Sequence, residues 1–302
     1  MTHLVSNGGS GIVPFTQAVI MSPAVSPLTL DRTDARNLDM LTYFGLQNDS
    51  QSDILALSAD TINDFTGHIG AGGWGPIVDG FYYQELPGAA FAAGRYHKNL
   101  NIITGKVSDE AHDFTPTVLP YIIDGNSDIR DMSYDTKALM TSFFALEGFN
   151  LSSSVVDQVW DLYPTINNTD LYYTIFGKYD RILSEVLLDC YSYYMSKAYS
   201  TAYNWYFDVA PGYHAQENPY LFAGGTGTGG SSSLPINATL SNYMKTYLVN
   251  FVKGDINGTP TIPTWAAFGT AGQALELGST NVGMISDPAN NDRCAFWETN
   301  TQ

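Results

Sequence analysis

Two short, continuous apolar runs constrain the fold of this chain more than any other feature. They are QAVIM at 17–21 and NIIT at 101–104, and turn-forming residues bound each of them. Such runs are typical of strands that are buried on both faces of a parallel sheet. The run NWYFDVA at 204–210 predicts a third strand. Long helical stretches separate the three runs, and this alternation predicts an α/β fold.

The helical pattern is clearest in two segments, 179–200 and 239–253. Each repeats apolar residues close to a 3.6-residue period, which predicts an amphipathic helix. Three strands make a thin sheet for a chain of 302 residues, so we expect the sheet to include strands that this chain does not contain. A Gly/Ser-rich stretch at 223–233 predicts a flexible surface loop.

Charge and composition exclude several classes of partner. The formal net charge of −17 argues against a nucleic-acid backbone or an anionic membrane surface. No apolar run approaches the length of about 18 residues that a transmembrane helix needs. No cluster of His, Cys and acidic residues has the spacing of metal ligands in the sequence, so neither a metal nor a cofactor is implied.

Several features favour a secreted protein. Five N-x-S/T triplets are candidate glycosylation sites, at Asn48, Asn150, Asn167, Asn237 and Asn257. Two cysteines are too few for a disulfide scaffold but could form one staple. The first residues lack the basic and apolar segments of a signal peptide. We therefore expect secretion of the full-length protein and a missing upstream segment.

Two residues that follow predicted strands could carry chemistry. Glu110, beside Asp109, follows the second strand, and its carboxylate could orient an imidazolium; a solvated turn or helix cap is the alternative. His214 follows the third strand and could be a general base; a hydrogen-bonded core histidine is the alternative. His112 is a rival base, but it lies in the turn of the acid itself, which is poor geometry. An acid after one strand and a histidine after a later one match the second half of the order Ser, Asp/Glu, His.

The matching nucleophile motif is absent. No G-x-S-x-G occurs in the 302 residues, and Ser6 and Ser10 each lack one of the two glycines at the required spacing. The small residues matter because the serine of such an elbow sits on a strained turn between a strand and a helix.

Six segments together resemble type-B carboxylesterases, the cholinesterase, fungal lipase and fungal carboxylesterase family, in family order and over nearly the whole chain. They are PFTQAVIMSPA (14–24), GWGPIVDGFYYQELP (73–87), IITGKVSDEAHDF (102–114), PGYHAQENPYLF (211–222), LSNYMKTYLVNFVKGDINGTPTIPTW (240–265) and CAFW (294–297). The resemblance implies that residues 1–302 are the C-terminal part of an α/β-hydrolase domain, with a mostly parallel sheet and flanking helices.

The resemblance also implies roles. Glu110 would be the acid that orients His214, and His214 would be the general base in hydrolysis of a small-molecule or lipid ester, without a cofactor. Cys190 and Cys294 would form a disulfide. Alanines at 111 and 215 stand where the family has glycine, and both are small enough to keep the roles.

By this resemblance the nucleophilic serine, the first strands and the oxyanion hole precede Met1, the serine by about a dozen residues. We therefore expect this chain to be part of a secreted carboxylesterase or lipase, and we expect the chain alone to be essentially inactive. One alternative is a non-catalytic hydrolase-fold protein that binds a partner. Another is a chain that folds poorly alone, because strand 17–21 would be an apolar edge.

Overall fold

A five-stranded sheet organises the part of the chain that the computed structural model describes, residues 1–25, 30–46, 51–69, 75–115, 132–149, 151–166, 169, 171–222 and 236–300. The strand order is β1-β2-β3-β4-β5. The strands are β1 (Gln17–Met21), β2 (Asn101–Val107), β3 (Ala202–Asp208), β4 (Gln273–Gly278) and β5 (Val282–Ser286). The first four are parallel, and β5 is antiparallel to β4.

Helices precede, connect and follow the strands. They are α1 (Thr2–Val5), α2 (Leu30–Tyr43), α3 (Gln51–Leu55), α4 (Ala59–Ile69), α5 (Pro87–Ala92), α6 (Lys137–Glu147), α7 (Ser153–Leu162), α8 (Ile175–Ser184), α9 (Cys190–Ala198), α10 (Asn218–Leu221), α11 (Ala238–Val252) and α12 (Asp292–Asn300). Short 3-10 turns cover Ser6–Gly9 and Met132–Tyr134, and one π-helical turn, Glu185–Asp189, joins α8 to α9.

The centre of the sheet is buried on both faces, as the continuous apolar run of β2 predicts. The same prediction is wrong for β1, which is only partly buried and leaves Val19 40% exposed. Successive side chains of a strand point to opposite faces. In β2, Ile102 therefore packs into a core that includes residues of α5 to α9 and α12, whereas Ile103 packs into a second core with α11. Both side chains are fully buried. The predicted α/β class, a mostly parallel sheet with flanking helices, is confirmed.

Three details differ from the sequence-based expectation. The expected sheet of three strands is too small, because β4 and β5 add two strands at one edge. The third strand begins and ends two residues earlier than 204–210. The segment 179–200 is not one regular helix, since the π-helical turn Glu185–Asp189 interrupts it. The helix predicted at 239–253 is present as α11.

The C-terminal helix α12 is linked to α9 by a disulfide and to the π-helical turn by an ion pair. Cys190, which opens α9, forms a disulfide with Cys294 of α12, with 5.1 Å between the Cα atoms. The guanidinium of Arg293 donates to both carboxylate oxygens of Glu185, at 2.8 and 2.7 Å. The hydroxyl of Tyr163 donates to the same carboxylate at 2.5 Å, so this buried charge is well satisfied.

Some predicted features fall outside the described residues. These are the Gly/Ser-rich stretch at 223–233 and the triplets at Asn48, Asn150 and Asn167. Asn237 is exposed, and its side-chain oxygen caps α11. The side-chain nitrogen of Asn257 donates to the backbone carbonyl of Trp265 at 3.0 Å. None of the described helices combines the length and apolar character that crossing a bilayer requires.

Candidate functional site

The loops after β2 and β3 lie side by side at the carboxyl edge of the sheet. Asp109 and Tyr213 form a parallel β-bridge, and the Asp109 amide donates to the carbonyl of Gly212 at 2.9 Å. The backbone of Gly212 has a φ of +81°, and a Cβ there would lie 2.0 Å from Ser108 Oγ. Glycine is therefore required at 212 for the two loops to meet.

Glu110 and His214, which these loops carry, are in direct contact. Glu110 Oε2 lies 2.6 Å from His214 Nδ1, and Glu110 Oε1 accepts from the Val107 amide at 2.9 Å. The Glu110 side chain is fully buried, whereas 28% of the His214 side chain is exposed. Because an ionised carboxylate only accepts hydrogen bonds, the contact places the proton on Nδ1 and leaves the lone pair on Nε2.

The environment of His214 favours a basic imidazole. Burial by itself lowers the pKa of His214. The hydrogen bond to Glu110 and the negative charge of Glu110 raise the pKa and together outweigh burial, so the pKa lies above its ordinary value. The ring of Phe114 packs edge-on against the imidazole at 5.2 Å. Within the described residues, Nε2 of His214 makes no hydrogen bond, so it is free to accept a proton.

One side chain of the loop that holds His214 forms hydrogen bonds with the backbone at both ends of that loop. The carbonyl oxygen of Gln216 accepts from the amides of Gly212 and Tyr213, at 2.8 and 3.1 Å. Its amide nitrogen donates to the carbonyls of Val209 and Ala210, at 2.9 and 3.3 Å. Gln216 thus fixes the loop from inside, and sequence reasoning missed it because its partners are all backbone groups.

A second carboxylate, Glu217, adjoins the pair and was also missed. Its side chain accepts a hydrogen bond from Ser22 Oγ at 3.2 Å. Ser22 follows β1 directly and has a φ of +43°, uncommon for a residue other than glycine. Burial, and then the charge of Glu110, raises the pKa of Glu217 to about 7. The only sequence signal was the position of Glu217, three residues after His214.

The raised pKa of Glu217 predicts a pH-dependent stability. A carboxyl whose pKa is higher in the folded state stabilises the fold below its unfolded pKa, and this contribution is lost as pH rises through about 7. We therefore expect Glu217→Gln to gain stability relative to the parent protein as pH rises from 5 to 8, by up to about 3 kcal/mol. Urea denaturation at several pH values measures this.

Asp180 and Asp189, whose pKa values burial raises to about 8 and about 7, titrate in both proteins. The difference between the two pH profiles therefore isolates Glu217. Parallel profiles for the variant and the parent would contradict the assignment.

The structure thus brings together Glu110 and His214, the two predicted residues, which are 104 positions apart in the sequence. The rival base, His112, makes no hydrogen bond to Glu110; its ring stacks on Tyr213, with 4.2 Å between the ring centroids. Ser6, rejected as a nucleophile on sequence grounds, is buried and lies 3.2 Å from Nε2 of a different histidine, His97.

Comparisons with known proteins agree on one family. The sequence model of the carboxylesterase family matches residues 2–297. The chain is 26% identical over 301 residues to carboxylesterase patB of Penicillium expansum, covering 94% of this chain and 49% of that protein. It is 23% identical to carboxylesterase patB of Aspergillus clavatus, covering 97% and 53%. The chain therefore spans about half the length of the curated relatives it matches.

Solved structures show the same fold. EstA of Aspergillus niger superposes with a TM-score of 0.74 at 21% identity, covering 98% of this chain and 60% of that one. A carboxylesterase of Geobacillus stearothermophilus gives 0.68 at 18% identity, covering 94% and 58%. Both the fold, that of the α/β-hydrolase carboxylesterases, and the family resemblance noted in the sequence are confirmed: this chain belongs to the carboxylesterase family.

Proposed function

We propose that this chain supplies the acid and the base of a serine carboxylesterase. The observation that carries the proposal is the 2.6 Å contact between the buried Glu110 carboxylate and Nδ1 of the partly exposed His214. In this arrangement Nε2 faces away from the acid and can take the proton of an attacking hydroxyl. A histidine with a purely structural role would not need an unbonded Nε2 on a partly exposed ring at the carboxyl edge of the sheet.

The proposed reaction is acyl transfer from a carboxylic ester. A serine hydroxyl attacks the ester carbonyl while its proton moves to Nε2 of His214, and the same proton then passes to the leaving alkoxide. Water attacks the acyl-enzyme in a second, equivalent round. Glu110 stabilises the imidazolium formed in each round, and the Val107 amide holds its carboxylate in place.

We further propose that the serine belongs to a segment outside these 302 residues, so that the chain alone does not turn over esters. The elbow motif is absent from the sequence. Of the two described serines that directly follow a strand beside the site, Ser108 lies against Gly212, and Ser22 donates its hydroxyl to Glu217 rather than to His214. Both its partner and its burial argue against a role as nucleophile.

A small-molecule or lipid ester is the substrate class that the family favours. The disulfide Cys190–Cys294 supports secretion, because disulfides persist in oxidising compartments. Asn237 and Asn257 are both exposed, and the side-chain amide of each donates to a backbone carbonyl. The contact of Asn237 with Ser279 is the longer, 3.4 Å against 3.0 Å from Asn257 to Trp265, so Asn237 is the more available acceptor for a glycan.

A fluorophosphonate probe, which labels only base-activated serines, tests the proposal. We expect no labelling of the 302-residue chain, and labelling plus hydrolysis of p-nitrophenyl butyrate once the coding sequence upstream of Met1 is included. Labelling of Ser22, read by peptide mass spectrometry, would show that the nucleophile lies in this chain. A longer protein that folds but neither labels nor hydrolyses esters would instead favour a non-catalytic binding protein.

A further inference from the structure

Three potential metal ligands converge beside the acid–base pair. Asp109 and His112 come from the loop after β2, and Asp180 comes from α8. One ligand atom from each residue lies within 4.8 Å of the others. The sequence did not indicate this cluster because Asp180 belongs to a distant helix, which only the fold brings to the loop.

The spacing between His112 and Asp109 suits a shared ion better than a hydrogen bond. His112 Nδ1 lies 3.5 Å from Asp109 Oδ2. Hydrogen bonds between nitrogen and oxygen span about 2.7–3.2 Å. Two ligands of a tetrahedral zinc ion, each about 2.0 Å from the metal, are roughly 3.3 Å apart. In the described part of the chain the ring nitrogens of His112 make no hydrogen bond, so the ring is free to ligate.

Aromatic packing, rather than a polar contact, orients the His112 ring. Tyr213 stacks on it at an interplanar angle of 10°, and Phe176 packs edge-on at 5.3 Å. The Thr115 hydroxyl donates to the Ala111 carbonyl at 3.0 Å and lies 3.3 Å from Asp180 Oδ1, so Thr115 contacts this carboxyl group from behind, as outer groups of metal sites do. Thus a nitrogen donor and two carboxyl groups are held together, and a bound ion would replace the proton of the hydrogen bond that Asp180 and Asp109 share.

We propose that Asp109, His112 and Asp180 bind a divalent transition-metal ion of the zinc type. One imidazole with two carboxylates is a mixed donor set that Zn²⁺ accepts, whereas Ca²⁺ prefers six to eight oxygens and Mg²⁺ an octahedron of oxygens. Three protein ligands leave a fourth position for water. The cluster shares no residue with the pair Glu110 and His214 and does not depend on the proposed esterase chemistry.

The ion would link the loop after β2 to α8 and, through Tyr213, would also restrain the loop after β3. Asp109 immediately precedes Glu110, and Tyr213, which stacks on the ligand His112, immediately precedes His214. The backbone bridge between Asp109 and Tyr213 already joins these loops. An ion held by Asp109 and His112 on one side and by Asp180 of α8 on the other would restrain both loops against the helix.

Calorimetric titration of the metal-free protein with ZnCl₂ tests the site. We expect one Zn²⁺ per chain and a higher melting temperature with zinc. His112→Phe keeps a ring to stack on Tyr213 but removes the ligand nitrogen, and Asp180→Asn keeps the shape but removes the charge. Each should weaken binding by at least about 10-fold, since even groups behind a ligand contribute about 10- to 100-fold. His3→Phe, at an exposed histidine elsewhere, should bind as the parent does.

Two results would overturn the proposal. One is the absence of zinc binding by the parent protein. The other is equal binding and equal thermal stabilisation in the parent, His112→Phe and Asp180→Asn proteins, which would mean that the ion binds adventitiously elsewhere. If His112→Phe fails to fold, the affinity of Asp180→Asn for zinc decides between these outcomes, and absorption of bound Co²⁺ reports separately whether a nitrogen ligand is present.

Discussion

Ester hydrolysis should fall about 10⁶-fold in kcat when His214 is replaced with alanine, in the form of the protein that contains the nucleophilic serine. The reason is that the base and the nucleophile act as a unit, so the loss of either removes most of the acceleration. Glu110→Gln should cost about 10⁴-fold, because an amide in place of the carboxylate favours the wrong tautomer of His214 and no longer stabilises the imidazolium. Initial rates with p-nitrophenyl butyrate measure both effects.

The control for these variants is His3→Gln, which removes an exposed imidazole whose hydrogen bond and ring contact, among the described residues, are both with Tyr82. It should retain the parent kcat, and the KM values should change little in all three variants. Since the pKa of His214 is raised, the parent activity should also decline on the acid side at a pH above the ordinary pKa of histidine. Retention of more than a tenth of the parent kcat in a folded His214→Ala protein would rule out the proposed role.

Removal of the disulfide should lower the free energy of unfolding by about 4–5 kcal/mol, measured by guanidinium denaturation of the Cys190→Ala/Cys294→Ala protein. The cysteines are 104 residues apart, and closing so long a loop strongly restricts the unfolded chain. Both are fully buried, so their replacement by alanine also leaves a small cavity, which adds to the loss.

The two cysteines are the only ones in the chain, which gives the experiment an internal control. A reductant should destabilise the parent protein and leave the double variant unchanged. A loss below about 1 kcal/mol would mean that the unfolded chain is already compact around these positions, since residual structure reduces the entropic effect of a cross-link.

The sequence was sufficient for the parts of the fold that depend on local pattern. The apolar runs at 17–21 and 101–104 form β1 and β2, and the periodic segment at 239–253 forms α11. It was insufficient for β4, where Glu276 interrupts the apolar pattern of QALELG, and for β5, whose residues are only partly buried. β5 is the last strand of the sheet, and an edge strand of this kind carries a weaker apolar signal than a central strand.

The candidate site shows a similar division. Position after a strand, together with the family resemblance, identified Glu110 and His214, because both features are written in short segments. Gln216, Ser22 and Glu217 could not be identified in the same way, since their partners lie in other loops or in the backbone. The π-helical turn also followed from packing rather than from sequence, as the apolar period of 179–200 is uninterrupted.

The backbone bridge between Asp109 and Tyr213 makes loop length, rather than loop composition, the variable that evolution and protein engineering must preserve here. The bridge pairs the two chains again beyond the strands, two residues after Val107 but six after Phe207, so it fixes which residue of one loop lies opposite which residue of the other. Deleting or inserting a single residue between Val107 and Glu110 would turn the next side chain to the opposite face. Substitutions at neighbouring positions should therefore be far better tolerated than a one-residue change in length.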